Sequence, residues 1–192
     1  RDDVTREEWA EIMGSVKGFG EPGFIFTENL EFTYNPCVEI GMLPTWLETG
    51  ESGFQVCNLT EINGGQCVDK ETLFKACKAA SILGTLQAGY TEFKYLTEVS
   101  KKIIEKEALI GVSITGWMNN PSVLFDKNNM IDGANVVKEY NAKVADLIGI
   151  NHAARCTAVK PSGNASVLLG TASGIHGEHS PLYFRNVQMN DQ

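Results

Sequence analysis

Leu109-Ile110-Gly111-Val112-Ser113-Ile114-Thr115-Gly116 is the stretch on which the fold turns. It is apolar, rich in β-branched residues and closed by a glycine, the pattern of a strand that ends in a turn. Upstream, residues from Tyr95 to Ala108 place Leu96, Val99 and Ile103 at helical spacing. Downstream, Asn120-Pro121 opens a turn or short helix. Asp132 is the expected cap of a longer helix, with Val137, Tyr140, Val144, Leu147 and Ile148 on one face and Gly149 as its stop. Arg155-Cys156-Thr157-Ala158-Val159 reads as the next strand. On the other side, Phe54–Leu59 reads as a strand ended by Asn63-Gly64-Gly65. Asp69 is then the expected cap of a helix to about Ala88, with its stripe at Leu73, Ala76, Cys77, Ala80 and Leu83. Strand and helix alternate, so the expectation is an α/β architecture with parallel strands. Loops at the C-terminal ends of such strands share one end of the sheet. Residues 161–166 and the segment after Ile114 should open there together.

The N-terminal part reads differently. Thr5-Arg6-Glu7-Glu8 is a capping box opening a helix, with Gly18 beyond its end. Trp9, Ile12, Met13 and Val16 should face a core. Gly20–Gly23 is a turn, Phe24-Ile25-Phe26 a buried strand, and Thr49–Gly53 a polar loop. At the other terminus Tyr183–Gln188 reads as a strand.

The chain has 192 residues, enough for one domain or part of a larger one, and its composition is that of a soluble globular protein. A formal net charge of −8 argues against nonspecific nucleic-acid binding and against an anionic membrane surface. No apolar run reaches the length of a membrane span and no signal peptide is visible. Five cysteines without a CxxC pair or a secreted-scaffold spacing point to a reducing, cytoplasmic compartment. The first residue is Arg, so the chain reads as processed or as cut from something longer.

Chemistry concentrates in Tyr34-Asn35-Pro36-Cys37-Val38-Glu39-Ile40. In extended backbone Asn35, Cys37 and Glu39 would share one face, an amide, a thiol and a carboxylate in a row. Pro36 removes a backbone donor and favours a loop tip or strand end. The competing structural reading makes Cys37 a buried small hydrophobe and Glu39 a solvated charge. Pro161-Ser162-Gly163-Asn164-Ala165-Ser166 combines small residues and hydroxyls that would let backbone amides approach a phosphate. His176, Glu178 and His179 invite a metal reading, but HExxH spacing is absent and Gly177 argues for a loop, so no metal is expected. Cys77 reads as core and Cys67 as incidental.

In their order and spacing these motifs resemble one family. Asn35-Pro36-Cys37-Val38-Glu39 is similar to the finger-loop motif (NPCxE) of ribonucleotide reductases, and Cys57-Asn58-Leu59 to the segment carrying one redox-active cysteine. Lys160-Pro161-Ser162-Gly163 and Gly170–His176 resemble its substrate-phosphate loop and the stretch that follows. Gly111–Gly116 matches a typical strand of the family. The wording is most like the class II, adenosylcobalamin-dependent branch, and the resemblance covers essentially the whole chain.

The resemblance implies a fold, a ten-stranded α/β barrel of two parallel half-barrels with the finger loop inside. Residues 1–192 would supply part of that catalytic barrel domain, with the finger loop at 34–40 and the phosphate loop at 161–166. It also implies roles. Cys37 would become a thiyl radical that takes hydrogen from the ribose C3′, shielded from water. Glu39 would act as base on the 3′-hydroxyl, and Asn35 would orient the sugar. Cys57 would be half of the dithiol that reduces the 2′ position. Ser162, Gly163, Asn164, Ala165 and Ser166 would hold the substrate phosphates with backbone and hydroxyl donors, and Pro161 would fix the entry of that loop; many relatives carry Thr where Asn164 stands. The implied cofactor is adenosylcobalamin. The implied partners are a ribonucleotide, a thioredoxin-like dithiol, and further segments of the same enzyme or a second copy. The redox partner of Cys57 would come from upstream of this sequence, and the fragment alone would be inactive and poorly soluble. Three other readings compete. One is a class I large subunit whose radical comes from a metal-containing subunit. Another is a hydrolase pairing Cys37 with His176 or His179. The last is a nucleotide-binding fragment without chemistry.

Overall fold

A computed structural model describes residues 4–178, 180, 182, 184 and 186. The chain divides into two compact units, residues 1–30 and residues 31–192.

The first unit is a helix with an extended tail. Helix α1 spans Arg6–Phe19, and the capping box is formed as its sequence requires: Thr5 accepts from the Glu8 amide while Glu8 reaches back to the Thr5 amide. It stops at Gly20, at φ 76°, two residues later than the Gly18 boundary expected. The apolar stripe does not meet a core, since no residue of α1 is buried. Trp9 packs instead on Phe24, ring centroids 5.0 Å apart. Phe24-Ile25-Phe26 forms no strand and is exposed, Phe26 to 78%. A strand needs a partner edge, and this unit contains none among its described residues.

The second unit opens with two small hairpins. Strands β1 (Thr33–Tyr34) and β2 (Gly41–Met42) pair antiparallel, as do β3 (Thr45–Trp46) and β4 (Glu51–Ser52). The polar loop expected at Thr49–Gly53 is therefore partly strand, with Gly50 at φ 74° in the turn. Strand β5 (Asn58–Asn63) begins where the expected Phe54–Leu59 strand was to end. It pairs in parallel with β6 (Ile110–Thr115), Glu61 opposite Ser113 and Asn63 opposite Thr115. Residues 155–158 run along the far side of β6. Ile110 and Val112 donate to the Arg155 and Cys156 carbonyls, Ala158 donates back to Val112, and Val112 and Thr157 form a parallel bridge. The expected third strand is thus present as an incomplete ladder.

Between these strands lie α2 (Lys70–Ala88), α3 (Glu98–Glu107), α4 (Pro121–Leu124) and α5 (Lys127–Ile148). Asp69 caps α2 by accepting from the Thr72 amide at 2.8 Å, as its sequence indicates. α3 begins later than expected because Thr97 supplies the cap. α5 begins earlier, for the same reason. Asp126 accepts from the Asn129 amide, and Asp132 lies inside the helix, paired with Lys70 at 2.8 Å. Gly149, at φ 75°, ends it.

Helix α2 packs against one face of the β5–β6 sheet and α5 packs against α2, and Ile62, Leu73, Cys77, Ile110, Val112 and Val137 form the buried core there. Leu83, assigned to the α2 stripe, is 58% exposed. Two buried polar groups lock the helix pair. Ser81 Oγ donates to the Val137 carbonyl, and Asn141 donates to Thr85 Oγ1 while accepting from the Ala153 amide. Such groups are tolerated only when satisfied. The parallel α/β reading stands. The described residues hold six strands in three pairings, and no closed barrel. Of the expected Tyr183–Gln188 strand, Tyr183, Arg185, Val187 and Gln188 lie outside the described residues.

Candidate active site

Side chains alternate across a strand, so the β5 residues that do not face the helices share the opposite face. These are Leu59, Glu61 and Asn63, with Cys57 just ahead of the strand. Gly111 sits opposite Leu59 in register. A Cβ there would lie 2.4 Å from Leu59 and 3.0 Å from Cys57 Sγ, so the bare backbone of β6 is what admits the Cys57 thiol.

The Asn35–Glu39 stretch is the tip of the β1–β2 hairpin. Val38 donates to the Asn35 carbonyl at 2.9 Å, closing a turn over Pro36 and Cys37, and the Asn35 side chain accepts from the Ile40 amide at 3.0 Å. Val38 takes φ 65°. The backbone is not extended, so the common face expected for Asn35, Cys37 and Glu39 does not exist. Pro at the second position of a turn, with Asn before it, is the local chemistry that prevails. Cys37 is exposed at the tip, not a buried hydrophobe. Glu39 is half-buried, and its Oε2 is buried without a hydrogen-bond partner among the described residues.

Glu39 and Cys57 line one pocket of about 350 Å³, together with Arg155. Arg155 Nη1 donates to the Gly41 carbonyl at 2.7 Å and so ties the hairpin base to the third strand. Asn35, Pro36 and Cys57 line an adjoining pocket of about 560 Å³. Cys57 thus borders both. Burial pushes its pKa up to about 11; Arg155 opposes that shift and Glu39 adds to it. The thiol is therefore neutral at pH 7. Alkylation of Cys57 by iodoacetamide is expected to rise about tenfold per pH unit through pH 9 to 10 and to level off near 11, because the thiolate is the nucleophile. Mass-spectrometric labelling rates across pH check this; a plateau below pH 9 would contradict the buried setting. The other buried cysteines, Cys67, Cys77 and Cys156, belong to the core on the helix side, and none of the five is in a disulfide.

Residues 161–166 lie at the other end of the sheet. Ser162 is buried, and its Oγ accepts from the Ser166 amide at 3.0 Å, which opens the short helix α6 (Ala165–Leu169). Gly163 and Asn164 form the exposed tip, Gly163 at φ 55°. The Asn63 side chain donates to the Leu169 carbonyl. Gly174 accepts from the Gly116 and Trp117 amides and donates to Thr115 Oγ1. The loop therefore rests on the C-terminal ends of β5 and β6, where the sequence placed it. Pro161 and Ala165 flank the tip.

The structure brings Asn35, Glu39 and Cys57 to adjoining pockets and sets the 161–166 loop at the far end of the same strands. It leaves Cys37 outside those pockets. No hydrogen bond or ion pair among the described residues joins Cys37 to His176, and His179 lies outside the described residues, so the hydrolase pairing has no geometric support. No group of three His, Cys, Asp or Glu among the described residues is arranged to hold a metal. No described helix is long and apolar enough to cross a membrane. Two residues of this face escaped the sequence reading. Lys160 was read only as the start of the phosphate-loop motif, and Glu61 was not singled out. The signal for Glu61 was a charge inside an otherwise uncharged strand, one residue from the buried Ile62.

No protein-family profile matches the chain. It is similar to the adenosylcobalamin-dependent ribonucleoside-triphosphate reductase of Euglena gracilis, 24% identical over 95% of this chain and 26% of the relative. It is also similar to the enzyme of the same name from Lactobacillus acidophilus, 29% identical over 90% of this chain and 25% of the relative. A crystal structure of a B12-dependent, class II ribonucleotide reductase superposes with a TM-score of 0.58 at 20% identity, over 76% of this chain and 23% of that one. The motif resemblance is borne out: the homologues of the chain are adenosylcobalamin-dependent reductases. The chain spans about a quarter of the length of the curated relatives it matches. The pockets beside the site, about 350 and 560 Å³, suit small ligands and not a corrin with its nucleotide tail. Among the described residues, these two pockets form no cradle for adenosylcobalamin.

Proposed function

We propose that this chain is part of the catalytic barrel of an adenosylcobalamin-dependent ribonucleotide reductase acting on ribonucleoside triphosphates. The observation that carries the reading is the buried, unpartnered Glu39 carboxylate oxygen in one pocket with the Cys57 thiol. A carboxylate with a free acceptor beside a neutral thiol suits a substrate hydroxyl that must lose a proton near a reductant. The 161–166 loop lies at the C-terminal end of the strand that Cys57 precedes, so in this reading a sugar at Cys57 directs its phosphates along β5 toward that loop.

In this reading Cys37, as a thiyl, takes the hydrogen atom from C3′. Glu39 accepts the 3′-hydroxyl proton while a thiol proton of the Cys57 pair joins the departing 2′-hydroxyl to make water; the second thiol hydrogen ends on C2′, and Glu39 hands its proton back to the 3′ oxygen. Cys57 and a second thiol give two electrons and become a disulfide, and Cys37 returns its hydrogen to C3′. The net change is ribonucleotide plus dithiol to deoxyribonucleotide, disulfide and water. Asn35 orients the sugar. Ser162, Gly163, Asn164, Ala165 and Ser166 hold the phosphates and Pro161 fixes the loop's entry, with Ser162 using its hydroxyl proton because its oxygen already receives the Ser166 amide. The remaining strands of a ten-stranded barrel, the cover over Cys37, the cofactor cradle and the partner thiol of Cys57 belong to the rest of the enzyme. A thioredoxin-like dithiol restores the reduced state.

The test is deoxyribonucleotide formation by natively purified protein with whatever chains accompany it, given ribonucleoside triphosphate and a dithiol, with and without adenosylcobalamin. Turnover only with the cofactor is expected. Turnover without it would move the radical source to a metal-bearing subunit. Nucleotide binding without turnover under either condition would make the chain a binding fragment.

A further inference from the structure

Lys160 and Glu61 form an ion pair that the roles above leave unused. Lys160 Nζ lies 2.8 Å from Glu61 Oε2, and the side chains are 18% and 8% exposed. The contact is close but off the hydrogen-bond direction, and Glu61 Oε1 is buried without a partner. Charges this sheltered persist only when paired. The backbone of Lys160 is fixed as well: its amide donates to Ser113 Oγ at 3.2 Å, the residue opposite Glu61 in the β5–β6 register. One residue is thus pinned by side chain to β5 and by backbone to β6. The next residue is Pro161, where the 161–166 loop begins.

We infer that the Glu61–Lys160 pair is a positioning device that fixes the entry of the phosphate loop relative to β5, and that Lys160 is not itself a phosphate ligand. The inference rests on the phosphate-loop reading above. A lysine free to reach phosphate is a mobile, hydrated point charge. Here the ammonium is held against a carboxylate that pairs with no other cation among the described residues, so its charge is already neutralised. Phosphate recognition is left to the amides and hydroxyls of 162–166, whose geometry depends on where Lys160 stands. Because Glu61 lies on the strand that starts beside Cys57, the pair also sets the spacing between the reducing thiol and the phosphate anchor.

The test is a double-mutant cycle on the natively purified protein with Glu61→Gln, Lys160→Met and the double variant. Two readouts are taken: amide hydrogen exchange, and steady-state kinetics with a ribonucleoside triphosphate. Each single variant is expected to speed exchange across residues 162–171 and raise KM, by about tenfold or more, because each leaves a lone buried charge or an unfilled site. Exchange in the α2 core should stay at the parental rate, kcat should change far less than KM, and the double variant should be no worse than either single. Should a lone charge unfold a single variant, the double variant, which buries no unpaired ion, carries the same comparison against the parent. Parental exchange in the loop would overturn the inference. So would a raised KM in Lys160→Met with a parental KM in Glu61→Gln, which would make Lys160 a direct phosphate ligand. A parent that turns over no nucleotide overturns the functional reading, while the exchange data still decide whether the pair holds the loop.

Discussion

Cys37→Ala is expected to lower deoxyribonucleotide formation by at least about three orders of magnitude, as removal of an indispensable reacting group does. Nucleotide affinity and melting temperature should stay at parental values. The structure makes this a clean substitution. Cys37 is exposed at the hairpin tip, and the turn is held by the Val38 amide on the Asn35 carbonyl and by the Asn35 side chain on the Ile40 amide. Trimming this side chain takes nothing from the packing within residues 31–178, and such small changes move stability little. Cys37→Ser is expected to fail equally, although it keeps size and polarity, because an O–H bond is harder to break homolytically than an S–H bond. The measurement is product formation in the complete enzyme with cofactor and dithiol, beside a melt of each variant. Retained turnover in either one would remove the thiyl role from Cys37.

How far the sequence led can be judged from single residues. The strand at Leu109–Gly116, the cap at Asp69 and the stop at Gly149 were legible because each is local: apolar β-branched run, cap chemistry, left-handed glycine. Two errors came from letting periodicity outrank such local chemistry. Asn35-Pro36 is a turn opener, and it overrode the alternation that would have put Asn35, Cys37 and Glu39 on one face. Asp126 capped α5 ahead of Asp132 because its side chain reaches the Asn129 amide, which spacing along the apolar face does not reveal. The Phe24–Phe26 error is of another kind. A strand is a property of two segments, and an apolar triplet says nothing about whether a partner exists. The same limit hid the Glu61–Lys160 contact, which joins residues far apart in sequence through the register of β5, β6 and the third strand. The resemblance supplied roles for Cys37, Glu39 and Cys57. It did not supply the geometry that puts Glu39 and Cys57 in one pocket and leaves Cys37 outside it.

That shared pocket gives Glu39→Gln two independent consequences. The first is kinetic. Glutamine keeps the shape and the acceptor oxygen of the side chain but cannot take a proton, so kcat is expected to fall by about 10²- to 10⁴-fold, the usual worth of a positioned base, with KM little changed. The second is electrostatic and needs no turnover. The negative charge of Glu39 is one of the influences that raise the Cys57 pKa toward about 11, while Arg155 pulls the other way. Removing the carboxylate leaves Arg155 unopposed, so Cys57 should titrate lower and its alkylation curve should shift to lower pH. Burial, the larger cause, remains, so the shift is partial. The pair of readouts separates the explanations for a dead variant. Loss of activity with the Cys57 curve displaced downward places Glu39 beside the thiol and assigns the lost rate to the missing base. Loss of activity with an unmoved curve means that Glu39 does not share the pocket with Cys57 in the working enzyme. Full activity with the curve displaced keeps the geometry and removes the base role from Glu39.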